Sequence, residues 1–432
     1  MKTLFLSISI LLLLAASAAA QNADLSAGVS LQNSKIKSRT YLPIIFDPGM
    51  TMRSGAENII TLHNKLTSAQ NKLLKNRLFS ESNVLGKSGG MAYRYLKYGL
   101  LDFPMDYFSV VLAHEYYGHG ARYRELNMDD IHYAFELPPP YGGGGGEATN
   151  TKPVSISLHE LLAIWHGGID VHSVINRKLS MRWMAADEVN YREASQYFWS
   201  FQIMYDYIQS TNEDLADGTN DNDPRAYVRY LNANSGYSVN NLKMSVKDLK
   251  SKIKIGAANP FLLYSMYSLI KTYLWDGSSS GRIPMLHLGK IDYLPALRAG
   301  LTPFGIQYHF ENYFHYNRTT SFIDFSYGEQ SFFDSWGGIG INIQNIYEPE
   351  NFSFDLNLNV WDQPEFQFGN NPMVSKGGGL GGAFSVRGYY NFPNTQYPVS
   401  ALLELGYKST GFLEGYEMDS SPIFMLGLAL RD

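Results

Sequence analysis

The stretch Phe352-Ser353-Phe354-Asp355-Leu356-Asn357-Leu358-Asn359-Val360 alternates apolar and polar side chains without a break. On an extended strand successive side chains point to opposite faces. A period of two therefore gathers Phe352, Phe354, Leu356, Leu358 and Val360 on one side and Ser353, Asp355, Asn357 and Asn359 on the other. The same pattern recurs at Ile339, Ile341 and Ile343, at Phe304, Ile306, Tyr308 and Phe310, and at Phe424, Leu426, Leu428 and Leu430. After Gly281 there are about eight such segments, most of them roughly ten residues long, separated by Gly, Asn, Pro and charged turns.

Upstream of that point the apolar period is helical. The spacing predicts helices over 56–79, 91–98, 103–126, 155–180, 185–210, 224–233 and 258–275. Ser157 and Glu160 have the spacing of a capping box. Between the third and fourth helices, Ile131 to Leu137 alternates like a short strand, and Pro138-Pro139-Pro140 and the glycines 142–146 then exclude regular structure. The fold class is α+β: a signal peptide over 1–20, a helical domain over 21–281, and an antiparallel β-barrel-like domain of about eight strands over 282–432.

Within the third helix lies His114-Glu115-Tyr116-Tyr117-Gly118-His119, read as a motif of the H-E-x-x-H type with its histidines five apart. Both imidazoles flank a common helix face and can close on one metal ion, with Glu115 beside it. Two neutral imidazoles, an open coordination position and a carboxylate are the working parts of a zinc hydrolase. Pro104 falls in the first turn of this helix, with Asp102 as its N-cap.

These residues resemble zinc-dependent metallopeptidases of the zincin class, over the six-residue core and its helical setting. The metzincin extension needs Gly and His at positions 122 and 125, where the chain has Arg122 and Glu125. The resemblance therefore points to the gluzincin type, which takes its third ligand from a later helix. Trp165 to Asn176 is the segment that matches, and the alignment puts His172 in the ligand slot and Asn176 in the slot of the residue that orients it. Asp170 is the alternative third ligand. On an unbroken helix His159, His166 and Asp170 share one face and His172 points nearly the opposite way. A break at Gly167-Gly168 lifts that constraint. The resemblance implies Zn2+ held by His114, His119 and His172, with Glu115 as general base. Tyr116, Tyr117, Arg122 and His166 are the candidate oxyanion donors.

The alternating C-terminal segments, apolar on one face with Tyr, Phe and Trp near strand ends, resemble bacterial outer-membrane barrels over about 282–432, although the chain ends in Leu430-Arg431-Asp432 rather than an aromatic residue. A β-sandwich with one wet face shows the same alternation. Met1-Lys2, the apolar run Leu4 to Leu14 and Ala18-Ala19-Ala20 read as a secretory signal peptide. The sequence contains no cysteine, so metal ligands must be nitrogen or oxygen, and an exported chain without disulfides fits a bacterial envelope. A net charge of -5 excludes a basic nucleic-acid footprint. The oxygen-rich run Asp217 to Asp223 lacks EF-hand spacing and reads as a turn that caps the next helix.

The expected function is zinc-dependent peptide-bond hydrolysis in the periplasm or outer membrane, on a peptide or protein substrate. The alternative is an outer-membrane barrel protein with a structural or partner-binding helical domain.

Overall fold

The computed structural model describes residues 40–75, 83–140, 145–151, 155–215, 222–369, 373–393 and 398–431. The leader read over 1–20 lies outside them, as does most of the glycine run and of the oxygen-rich turn. The helices are α1 (Met52–Leu73), α2 (Val84–Lys97), α3 (Phe103–Leu112), α4 (Gly120–Glu125), α5 (Leu158–Ala186), α6 (Tyr191–Ser210), α7 (Asp223–Asn234), α8 (Val246–Lys252) and α9 (Pro260–Tyr267). Three π-helical segments, Tyr98–Asp102, Ala113–His119 and Ser268–Trp275, run directly into their α-helical neighbours.

Pro104 shows why the first π turn exists. The helical run continues from Val84 through Glu125, so Asp102 has helical geometry and is not an N-cap; its carboxylate instead accepts from Lys97 at 2.9 Å and Gln70 at 2.7 Å. A proline inside a helix has no N–H to donate and crowds the preceding turn. The wider turn, with the Phe103 N–H reaching Tyr98 O, absorbs that defect. The capping box at the start of α5 forms as read: Ser157 N–H donates to Glu160 Oε2 at 2.8 Å and Glu160 N–H to Ser157 Oγ at 3.1 Å. The pair Gly167-Gly168 does not break α5, which runs unbroken for 29 residues.

The strands are β1 (Tyr41–Phe46), β2 (Asp129–Phe135), β3 (Gly146–Thr151), β4 (Val189–Asn190), β5 (Ser280–Gly281), β6 (Leu286–Leu288), β7 (Ile291–Thr302) and β8 (Gly305–Tyr316). They continue with β9 (Thr319–Gly328), β10 (Gly337–Tyr347), β11 (Phe352–Gln363), β12 (Phe366–Phe368), β13 (Val374–Lys376), β14 (Gly379–Asn391), β15 (Val399–Lys408) and β16 (Ser421–Arg431). Ten of them form one antiparallel sheet in the order β1-β16-β15-β14-β11-β10-β9-β8-β7-β6. This corrects the expected barrel of about eight strands: the sheet is open, with β1 and β6 as its edges.

The reason lies at β1. Its outer edge is taken by α1 rather than by a strand: Ile45 N–H donates to Asn58 Oδ1 at 2.7 Å, and Asn58 Nδ2 and Thr61 Oγ1 donate to the carbonyls of Ile45 and Pro43 at 3.1 and 2.6 Å. β1 comes from the N-terminal region, and one core joins Leu42 of β1 and Val171, Ile175 and Trp183 of α5 to Leu294, Tyr313 and Phe322 of the sheet.

The inner face of the sheet is strongly polar and is matched by charges on α1 and α5. Arg387 donates to Glu57 at 2.8 and 2.9 Å and to Glu404 at 2.6 Å, and Arg53 donates to Glu404 at 2.6 Å. Arg298 bridges Glu311 at 2.9 Å and Glu414 at 2.8 Å, and Arg177 of α5 joins Glu414 as well. Taking charges out of water is costly, and these positions offset the cost by pairing almost every carboxylate with a guanidinium.

At the front of α5, His159 is buried: its Nδ1 accepts the Gln367 N–H at 2.9 Å and its Nε2 meets the Asn234 amide at 2.9 Å. Burial disfavours the imidazolium and lowers its pKa to about 4 from the ordinary 6.5. The unfolded chain therefore binds the proton first as pH falls. The stabilisation from neutral His159 is complete above about pH 6.5 and is lost between there and pH 4, by up to about 3 kcal/mol. Unfolding midpoints followed over that range should fall with acid in the wild type, and His159→Gln should flatten the part of the slope that His159 causes.

Candidate metal centre

The two motif histidines are five residues apart, one more than H-E-x-x-H strictly specifies. An α-helix would rotate them about 140° beyond a full turn, too far to share one ion. The second π segment removes that mismatch. Over Ala113–His119 the turn is wide enough for the Gly120 N–H to reach Glu115 O, and the His114 and His119 Nε2 atoms come within 3.1 Å of each other. His119 Nδ1 donates to Ile164 O at 2.8 Å, which fixes the ring's orientation and turns Nε2 towards His114.

The third donor is Asp223, the first residue of α7. Its Oδ2 lies 3.0 Å from His114 Nε2 and 3.1 Å from His119 Nε2, and all three side chains are buried. They form the group of potential metal ligands found among the described residues. Four-coordinate zinc with bonds of about 2.0–2.2 Å holds its donors roughly 3.3 Å apart, so this triangle fits the ion with small adjustments. Asp223 is held by its own backbone, whose N–H donates to the Tyr207 hydroxyl at 3.1 Å.

Asp223 and His119 hold each other in their charged forms. Burial alone would raise the Asp223 carboxyl, but His119 and His114 hold it well below the usual carboxylate range. Burial alone would depress His119, yet Asp223 lifts it to about 9. Glu115 is pushed up by burial, an effect that the neighbouring His114 and His119 partly oppose. No hydrogen bond engages the Glu115 carboxylate among the described residues. The hairpin β2–β3 lies against this side chain, so close at Gly146 that a Cβ there would fall 2.7 Å from Glu115 Cγ.

His172 is not in the triangle. Its ring stacks on that of His114 with centroids 6.0 Å apart, and its Nδ1 bonds Ser200 Oγ at 2.7 Å. Burial and the nearby His114 both keep it neutral. Asp170, the alternative, faces away towards His166 Nδ1 at 2.8 Å and Arg122 at 3.6 Å. Asn176 lines an interior pocket with His172, between α5, α6 and the sheet. Of the expected oxyanion donors, Arg122 donates through Nη1 to Glu125 and to Tyr416 O, each at 2.8 Å, with Nη2 3.6 Å from Asp170. Tyr116 and Tyr117 stack edge-on to each other.

On the unbroken α5, the residue that meets the two histidines is Gly168. A Cβ there would lie 2.5 Å from the His114 ring and 2.7 Å from His119 Nε2, and one at Gly118 would lie 2.5 Å from Gly168 Cα. Backbone touches backbone at this crossing. The sequence signal read as a possible helix break is instead a helix–helix contact.

Gly168→Ala should leave the helices in place but displace both imidazoles, weakening zinc binding by about 10- to 100-fold in a competitive chelator titration. Wild-type affinity in that variant would show that the crossing does not set the ligand geometry. Comparison with known proteins finds no matching family model, no matching curated relative and no matching solved structure.

Proposed function

We propose that this chain is a metal-dependent hydrolase, a zinc metallopeptidase of the cell envelope, with His114, His119 and Asp223 as its metal ligands and Glu115 as general base. The observation that carries this reading is the convergence of two imidazole Nε2 atoms and one carboxylate oxygen within 3.1 Å, with a hydrogen-bond-free carboxylate on the adjoining residue. Two nitrogens and one oxygen are a hard, cysteine-free donor set suited to Zn2+ with one position left for water or substrate. A bound zinc ion would supply a Lewis acid and a water of lowered pKa.

The chain's own residues do the rest. Asp223 and the two histidines fix the ion. Ile164 O orients His119, and Gly168 keeps the α5 backbone out of the ligand space. Glu115 is placed to accept a proton from the attacking water and to return it to the leaving amine. The neighbouring β2–β3 hairpin supports an extended substrate such as a peptide, and the resemblance to zincins favours a peptide bond as the one cleaved. The motif departs from that class by one inserted residue and by an aspartate from a distant helix, so the relationship rests on chemistry rather than on matching sequence.

Purified full-length protein should carry one zinc per chain and cleave members of a peptide library. Glu115→Gln should keep the zinc and lose about 10²- to 10⁴-fold in turnover. Asp223→Ala should lose stoichiometric zinc itself, whereas His172→Ala should retain it. Full turnover in Glu115→Gln would remove Glu115 from the chemistry. A wild-type chain without zinc would favour the structural or partner-binding alternative.

A further inference from the structure

The outward face of the large sheet is the reverse of what a water-facing sheet shows. One register row crosses it as Tyr293, Phe314, Ser321, Ile343, Leu356, Val386, Leu405 and Phe424. Phe310, Phe325, Ile339, Phe384 and Leu426 on neighbouring rows are 40–60 % exposed. Along this face the long strands carry one charged residue, Asp362, next to the end of β11. Among the other charges of the same strands, Arg298, Glu311, Asp324, Arg387 and Glu404 point inward. Tyrosines mark both ends of the face: Tyr316, Tyr347 and Tyr390 at one, Tyr327 and Tyr407 at the other. The long strands of the C-terminal region have 10 to 13 residues, enough to cross a hydrocarbon core of about 30 Å when tilted.

A sheet with open edges cannot sit in hydrocarbon, because unpaired backbone groups there have no partner. At one edge Asn58 and Thr61 of α1 satisfy the β1 backbone; at the other, the three-residue strand β6 is exposed, and α9 and the Ile253–Ala258 turn pack on the neighbouring β7. Between them α1 contacts α3, and α2 contacts the π segment that extends α9. This helical side also exposes large apolar side chains, Leu62 and Leu66 on α1, Leu96 on α2, Leu100 beyond it and Ile270 in the third π segment, beside the exposed charges Lys65, Lys271 and Asp276; no helix among the described residues is by itself long and apolar enough to cross a membrane. A helix satisfies its own backbone, so it can complete a lipid-facing wall where a strand is missing.

We propose that the chain is seated in a lipid bilayer, with the ten-stranded sheet as one part of its lipid-facing wall and α1, α2 and the Ser268–Trp275 segment closing the remainder. The occupant of the apolar face is acyl chain rather than protein. The feature that selects lipid is the combination on the sheet of an apolar band with a single charge, Asp362, near its edge, uniform strand length and tyrosines at both rims. This assignment is independent of the metal chemistry.

The sequence has no cysteine, so single cysteines can be introduced cleanly in the full-length protein. Leu405→Cys, Val386→Cys, Leu66→Cys and Leu96→Cys, each carrying an environment-sensitive fluorophore, would be reconstituted into vesicles of phosphatidylethanolamine and phosphatidylglycerol with brominated acyl chains. Lys247→Cys, exposed on α8, is the reference. Severalfold stronger quenching at all four sites than at Lys247→Cys, in protein that floats with the vesicles, is the expected result. Failure to float, or quenching at the reference level at the strand sites, overturns the proposal. Quenching of the strand sites without the two helix sites overturns the helical closure. Disulfide-linked dimers of Leu405→Cys with no lipid quenching would assign the face to a second copy of the chain and likewise overturn it.

Discussion

The π turn at Gly118 crosses Gly167 and Gly168 of α5 so closely that two backbones meet with no side chain between them. Much of the rest is arranged around that contact. It sets His114 and His119 against α5, it leaves His166 and Asp170 on the side of α5 that meets Arg122, and it puts His172 one step beyond the ligand triangle. The same helix then carries Arg177 to Glu311 of the sheet and to Glu414 between β15 and β16, and Lys178 to Glu57 of α1. One helix thus anchors the candidate metal centre with its first half and the ionic interior with its second.

The interior is unusual in what it buries. The cluster of Arg53, Glu57, Lys178, Arg387 and Glu404 is held by hydrogen bonds on nearly every polar atom, and its members come from two helices and two strands. Breaking one partner of a buried pair leaves an uncompensated charge, at a cost of about 3–5 kcal/mol. Such a network specifies how the sheet sits on the helices more sharply than apolar contacts alone, since a slip of one residue would turn every inward charge outward.

Much of this was legible in the sequence, and the parts that were not have physical reasons. Period-two alternation located β8, β10, β11 and β16, because each strand has one apolar face whichever solvent it meets. The same alternation could not say whether the sheet closes, since closure depends on Asn58 and Thr61 of a distant helix. The motif helix and the capping of α5 were local and could be read. The π turns were not, because a wide turn accompanies Pro104 in one case and is compatible with ordinary helix formers in the other two. Asp223 was out of reach of any spacing rule: it lies 104 residues from His119, in a run whose richness in oxygen donors was visible but whose partner was not. The alignment with gluzincins points to His172 as the third ligand, whereas Gly168, with no side chain at all, is the residue of α5 that meets the two histidines.

The placement of Asp223 has a mechanical consequence. A cation shared by His119 and Asp223 ties together two points separated by 104 residues of chain, in a protein with no sulfur cross-links. Closing so long a loop removes freedom from the unfolded ensemble, much as a disulfide would, though the gain grows only slowly with loop length. Because an ion that binds only the folded form also shifts the folding balance by its occupancy, the ion would be a clasp as well as a reagent. Chelation should then loosen α7 from the motif helix before it disturbs the sheet, whose own fastening is ionic and lies elsewhere.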